Sequence, residues 1–205
     1  MSVMHNFFAE EKVSEINNAQ SAKYRDGFAE NGFVVGFAGR LVKRKGWRDF
    51  AKAALAISAQ NSSFKFLIAG DGPDRNKLER LVGGNESIKL LGSCNDMPTF
   101  YRSLDCFVIS SEWDPSPMVF YEAQRAGVPL ISANVTAVNE LVRDGENGLT
   151  YSPGHTDELI KKITTLKTNT ELRQRLSHNG MKESEKYTLE RYLEKVKKLY
   201  LNILA

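Results

Sequence analysis

Two stretches of this sequence concentrate the side chains that can do chemistry. The first, residues 39–46, reads Gly-Arg-Leu-Val-Lys-Arg-Lys-Gly. It follows an apolar run of strand composition, so its cations are expected at the carboxyl end of a parallel strand and just before a helix, where open α/β sheets bind ligands. Arg40 and Lys45 beside a helix N-terminus can hold a phosphate or diphosphate by charge-assisted hydrogen bonds, and glycines at 36, 39 and 46 let backbone come close. The same residues would also make a plain solvated basic loop, and this stretch alone does not choose between the two.

The second stretch, residues 110–129, reads Ser-Ser-Glu-Trp-Asp-Pro-Ser-Pro-Met-Val-Phe-Tyr-Glu-Ala-Gln-Arg-Ala-Gly-Val-Pro. An acid-rich, proline-bearing loop leads into a helix that carries Glu122, again on the strand-end side. Its carboxylates and exposed helical amides can face the same crevice as Arg40 and Lys45, and carboxylates there accept hydrogen bonds from sugar hydroxyls. The plainer reading is that Glu112 and Asp114 favour the helix N-terminus while Glu122 pairs with a surface arginine. The phosphate-binding patterns GxxxxGK[ST] and GxGxxG do not occur, which sets aside kinase, NTPase and dinucleotide oxidoreductase chemistry. The nearest approach, Gly70-Asp71-Gly72-Pro73, reads as a tight turn with Pro73 at the first position of a helix.

The elements that must position these groups are legible as alternating runs. Residues 33–39, 64–69, 88–91, 106–110, 129–133 and 148–151 have strand length and strand composition. Between them lie helical patterns at 47–60, 73–82, 97–103, 118–126 and 138–142, and three more follow at 157–166, 171–180 and 189–204. Right-handed crossovers then give an α/β protein: a Rossmann-like, doubly wound parallel sheet of about six strands with helices on both faces and a helical C-terminus. The last helix repeats Leu189, Tyr192, Leu193, Val196, Leu199, Tyr200 and Ile203 at i, i+3, i+4 spacing and is expected to dock on its own domain; a membrane-surface helix is the alternative, weakened by the mixed Glu and Lys of its polar face. The first thirty-odd residues are polar, and only the stretch around Phe7 and Phe8 looks able to pack.

The chain has 205 residues, 41% hydrophobic and 26% charged, with a net charge of +3. That is enough for a sizeable core and argues against disorder, a coiled coil or wholesale nucleic-acid binding. A nucleic-acid reading would rest on the loop 40–48 alone, which carries no aromatic beyond Trp47. Cys94 and Cys106 lack the spacing of a CxxC pair or a zinc site, which suits a reducing cytoplasm. The sequence shows neither a signal peptide nor an apolar run of membrane-spanning length.

From Val34 to Asn202 the chain resembles the C-terminal, nucleotide-sugar-binding half of the GT-B glycosyltransferases, specifically the family-4 (group 1) retaining enzymes. The resemblance rests on motifs in order: a GRL-x3-KG element (Gly39, Arg40, Leu41, Lys45, Gly46), a strand followed by GDGP, LLG (Leu90 to Gly92), EA-x2-AGVP from Glu122 to Pro129, and NELV-x-DG-x-NGL from Asn139 to Leu149. Seven residues separate Asp114 from Glu122, so the family's E-x7-E pair falls on these two, with Asp in place of the first Glu. Pro117 stands where the family often has Gly, and Thr136-Ala137 where it often has a Gly pair.

The resemblance implies that Arg40 and Lys45 bind the diphosphate of a UDP-, GDP- or ADP-sugar, that Asp114 orients the sugar and Glu122 the ribose, and that Gly92 and Ser93 face the nucleobase. Gly39, Pro117, Met118 and Val119 join them as substrate-binding positions. With no DxD-type motif, neither a metal nor another cofactor is expected. It further implies a link over residues 1–32, a donor-binding domain over 33–205, and a carbohydrate or lipid-linked acceptor held by an N-terminal domain outside this chain. The setting it implies is polysaccharide or lipopolysaccharide synthesis in the cytoplasm, with peripheral membrane association of the longer parent allowed. A non-catalytic module that binds a nucleotide sugar or a partner protein is the alternative.

Overall fold

The computed structural model describes residues 6–7, 24–25, 28, 32–135 and 138–204. Six parallel strands, β1 (Phe33–Ala38), β2 (Phe64–Ala69), β3 (Ile88–Gly92), β4 (Cys106–Ile109), β5 (Leu130–Ala133) and β6 (Leu149–Tyr151), form one sheet in the order β3-β2-β1-β4-β5-β6. The helices are α1 (Trp47–Gln60), α2 (Arg75–Val82), α3 (Met97–Arg102), α4 (Met118–Arg125), α5 (Thr156–Thr168), α6 (Thr170–Ser184) and α7 (Leu189–Leu204). The doubly wound α/β expectation is therefore met, strand for strand.

The strands form where they do because both faces of the sheet are covered. Along β1, Phe33, Val35 and Phe37 enter one core and Val34 and Ala38 the other, the period-2 alternation of a pleated strand. The first core packs against α1, α2 and α5, where Trp47, Phe50, Ala51, Ala54 and Ile57 recur at helical spacing. Alanines at 51, 53 and 54 let α1 lie close to the sheet, so that Phe50 meets Phe37 and Phe66 at ring separations of 5.5 and 6.1 Å. Each such buried ring contributes about 2–3 kcal/mol of transfer free energy. The second core is filled by Phe100 and Tyr101 of α3 and Phe120, Tyr121 and Ala123 of α4.

Four local expectations are corrected. Residues 138–142 make hydrogen-bonded turns, not a helix: Val142 and Leu141 both donate to the Val138 carbonyl, too few bonds to repay helix nucleation. Pro73 precedes α2 by two residues and sits in the turn instead of the first helical position. The packing of the lead-in extends beyond Phe7, which meets the Tyr192 ring at 4.6 Å. Tyr24 stands edge-on to Phe100, Arg25 pairs with Asp105 at 2.8 Å, and Phe28 joins the second core. Phe8 lies outside the described residues. Finally, much of the α7 stripe stays uncovered: Leu193 and Tyr200 are more than half exposed, while Tyr192, against Phe7, and Val196 are partly buried.

Candidate functional site

The sheet order reverses between β1 and β4, and a crevice opens at the carboxyl ends of strands at such a switch point. Residues 39–46 leave β1 there. A single 3-10 turn, Lys43–Lys45, carries the cations, and Gly46 closes it in the left-handed conformation at φ 66°. A Cβ at Gly46 would lie 1.6 Å from the Ser110 carbonyl oxygen, so only glycine lets this loop settle onto the end of β4. The Ser110 hydroxyl donates to the Lys45 carbonyl, and the Glu112 amide to the Arg44 carbonyl at 2.9 Å. The basic loop and the acidic loop are thereby fixed to one another.

On its other side the basic loop is held by the GDGP turn. Leu41 donates its amide to the Asp71 carbonyl and accepts from the Asp74 amide, while Gly70 has so little room that a Cβ would meet the Gly39 carbonyl oxygen at 1.9 Å. The turn thus has the structural role read from its sequence, as a backbone brace for residues 39–41. Of the other glycines in this region, Gly36 packs its bare Cα against Leu104 within the core and takes no part in the crevice, whereas a Cβ at Gly39 would make only ordinary contact, with Phe37 at 3.7 Å and Lys45 at 3.9 Å.

Within this frame Lys45 and Asp114 meet. The ammonium Nζ donates to the Asp114 carboxylate at 2.5 Å, with the two side chains 23% and 11% exposed. The Arg40 side chain is exposed and makes no hydrogen bond or ion pair among the described residues, its carbonyl alone accepting from the Val42 amide. Arg44 lies over the ring of the exposed Trp113 at 5.9 Å. Pro117 precedes α4, whose first residues, the exposed Met118 and the half-buried Val119, present amides with no acceptor among the described residues. Those amides supply the partial positive charge of a helix N-terminus on the same side of the sheet.

Glu122 stands one turn further along α4 and accepts a hydrogen bond from the Tyr101 hydroxyl at 2.8 Å. Burial, and then the Glu122 charge, push the Tyr101 phenol well above its ordinary range, so it remains a donor that fixes the carboxylate. No pattern in the sequence pointed to Tyr101; only the packing of α3 against α4 brings it there. Ser93 lies at the end of β3, two strands from β1, in the wall of a cavity of about 280 Å³ that it shares with Tyr24, Leu91, Cys94, Asn95 and Asp96. Gly92 directly precedes it at φ 68°. Tyr24 bonds Cys94 at 3.3 Å, and burial pushes its phenol upward. Thus Lys45 and Asp114 are brought together, Glu122 is held separately by Tyr101, and Ser93 belongs to a neighbouring hollow. Thr136-Ala137 lies outside the described residues, among which no group of three His, Cys, Asp or Glu side chains comes together as a metal site.

Residues 20–183 match the family described as "Glycosyl transferases group 1". The chain is 29% identical over 199 residues to the capsular polysaccharide biosynthesis glycosyltransferase CapM of Staphylococcus aureus, covering 95% of this chain and 52% of that protein. Among solved structures, Anabaena HepE in complex with UDP-glucose superposes with a TM-score of 0.87 at 23% identity, over 98% of this chain and 57% of that one. The C-terminal domain of a glycosyl transferase group 1 family protein, LpcC from Francisella tularensis, superposes at 0.74 with 25% identity, over 86% and 95% of the two chains. The chain therefore spans about half the length of the curated relatives it matches, and nearly the whole of a C-terminal domain solved alone.

Proposed function

The chain belongs to the group 1 glycosyl transferases, and from that premise we propose that it is the donor-binding half of a retaining glycosyltransferase. The parent protein moves a sugar from a nucleoside-diphosphate sugar to a carbohydrate or lipid-linked acceptor. By analogy with the capsular relative, this serves surface polysaccharide assembly, and the family resemblance adds lipopolysaccharide assembly and a cytoplasmic setting. Residues 33–205 form the donor domain and residues 1–32 the link to the part that holds the acceptor.

The observation that carries this reading is the basic loop braced at the β1/β4 switch point, with Arg40 exposed and Lys45 paired with Asp114 of the loop that leads into α4. Departure of the nucleoside diphosphate is the hard step, because negative charge builds on phosphate oxygens as the glycosidic bond stretches. Arg40, Lys45 and the first amides of α4 are groups that stabilise such charge without reorganising, each on the order of 3 kcal/mol in a site that excludes water. Glu122, held by Tyr101, is suited to a ribose hydroxyl, and the cavity at Ser93 to the base. Their part is positioning and not proton transfer. Cations of the protein then do the work for which other transferases recruit a metal.

Calorimetric titration of the chain with UDP, GDP and ADP, each with and without EDTA, tests the reading. One nucleotide should bind, and equally well in EDTA. Binding that EDTA abolishes would overturn the metal-free mechanism. A folded sample that binds none of the three would overturn the donor site in favour of a module with another ligand.

A further inference from the structure

We propose that Asp114 is the counter-ion of Lys45, a positioning residue that the diphosphate must displace, and that it acts on the donor through this lysine. The inference rests on the reading of the crevice as a diphosphate site, and it differs from the sugar-orienting role that the E-x7-E resemblance implies for this position.

Three observations carry it. First, each group is the other's only ion-pair partner among the described residues, at 2.5 Å. Second, both are largely withdrawn from water, with side-chain exposures of 23% and 11%, so neither charge is cheaply left alone and the pair is not the loose contact of a fully exposed surface. Third, the two backbones cannot drift apart. Gly46 is seated on the Ser110 carbonyl, Ser110 bonds the Lys45 carbonyl, and Glu112 bonds the Arg44 carbonyl. The carboxylate that neutralises Lys45 is thus delivered by the same strand end that forms the wall of the crevice.

Arg40 and Lys45 consequently play unequal parts. Arg40 is exposed and unpaired among the described residues, ready for a phosphate on arrival. Lys45 is already occupied, and an incoming anion gains its ammonium only by breaking the pair with Asp114. A diphosphate, with two or more negative charges, competes well for it; a neutral sugar does not. No covalent bond is made or broken in this exchange, since one acceptor of the Nζ protons replaces another.

The test is calorimetric titration of four proteins, the wild type, Asp114→Asn, Lys45→Met and the double variant, with UDP, GDP and ADP. Asp114→Asn should bind the nucleoside diphosphate about ten-fold more tightly than wild type, the size of a coupling within one charge network. A variant that merely disturbs the fold cannot gain affinity. The gain should vanish when Lys45 is Met, because the competition runs through that ammonium. Unchanged or weaker binding by Asp114→Asn, with Lys45→Met still impaired, would overturn the counter-ion role and leave the donor site standing. A gain that persists undiminished in the double variant would also overturn it, revealing repulsion through space alone. Absence of binding in all four would overturn the donor-site reading, and this inference with it.

Discussion

At the scale of single residues, Glu122 and Tyr101 show how a partly exposed carboxylate is given one orientation. The hydroxyl of a buried tyrosine donates to it at 2.8 Å, and among the described residues that hydroxyl has no other hydrogen-bond partner. Removing the hydroxyl alone should therefore be felt in two measurements. Tyr101→Phe should lose about 1 kcal/mol of unfolding free energy in a urea titration, the net worth of one such bond. If Glu122 holds the ribose, the same variant should weaken nucleoside diphosphate binding by about three- to ten-fold while binding of inorganic pyrophosphate stays unchanged. A nucleotide affinity insensitive to the hydroxyl would remove Glu122 from the site. The Glu183 carboxyl offers a separate check. Burial pushes it up, but hydrogen bonds and charge from Arg143 and Lys186 outweigh this and hold it below its usual 4.5. The folded state then binds fewer protons than the unfolded chain, so the stability it contributes is complete above about pH 5 and lost as pH falls through the folded value. Urea titrations should show that acid loss, and Glu183→Gln should flatten it.

At the scale of elements, the central strands β1, β4 and β5 were readable because they are buried on both faces and so carry short, continuous apolar runs, whereas the edge strand β3 exposes Lys89. The basic and acidic loops were readable because a parallel strand must deliver its loop to the carboxyl edge of the sheet. What periodicity does not contain is the identity of the neighbour. It announced an apolar stripe on α7 but not that Leu193 and Tyr200 stay exposed, and the family resemblance gave Lys45 to the diphosphate and Asp114 to the sugar without showing that the two side chains pair. Tyr101 carried no signal for the same reason. Two element-level predictions follow from these contacts. Gly46→Ala, with its Cβ driven against the Ser110 carbonyl, should cost about 2–4 kcal/mol in urea unfolding. Deleting residues 189–205 should change the unfolding free energy of the remainder by less than about 1 kcal/mol, since so little of α7 is covered.

At the scale of the whole molecule, the fold is a twisted parallel sheet whose single reversal of strand order places a basic loop, an acidic loop and a helix start around one crevice. The chain spans about half the length of its curated relatives, and capture of a nucleotide-sugar donor, the role proposed for it, is a property these residues can be tested for directly. The most direct measurement compares wild type with an Arg40→Ala, Lys45→Ala double variant by calorimetric titration with UDP, GDP and ADP, both samples verified as folded by circular dichroism. Loss of two charge-assisted contacts to one diphosphate should lower the affinity for the nucleotide that binds by about a hundred-fold or more. An affinity that survives the double substitution would contradict the account, since the crevice at the β1/β4 switch point would then not be where the diphosphate is held.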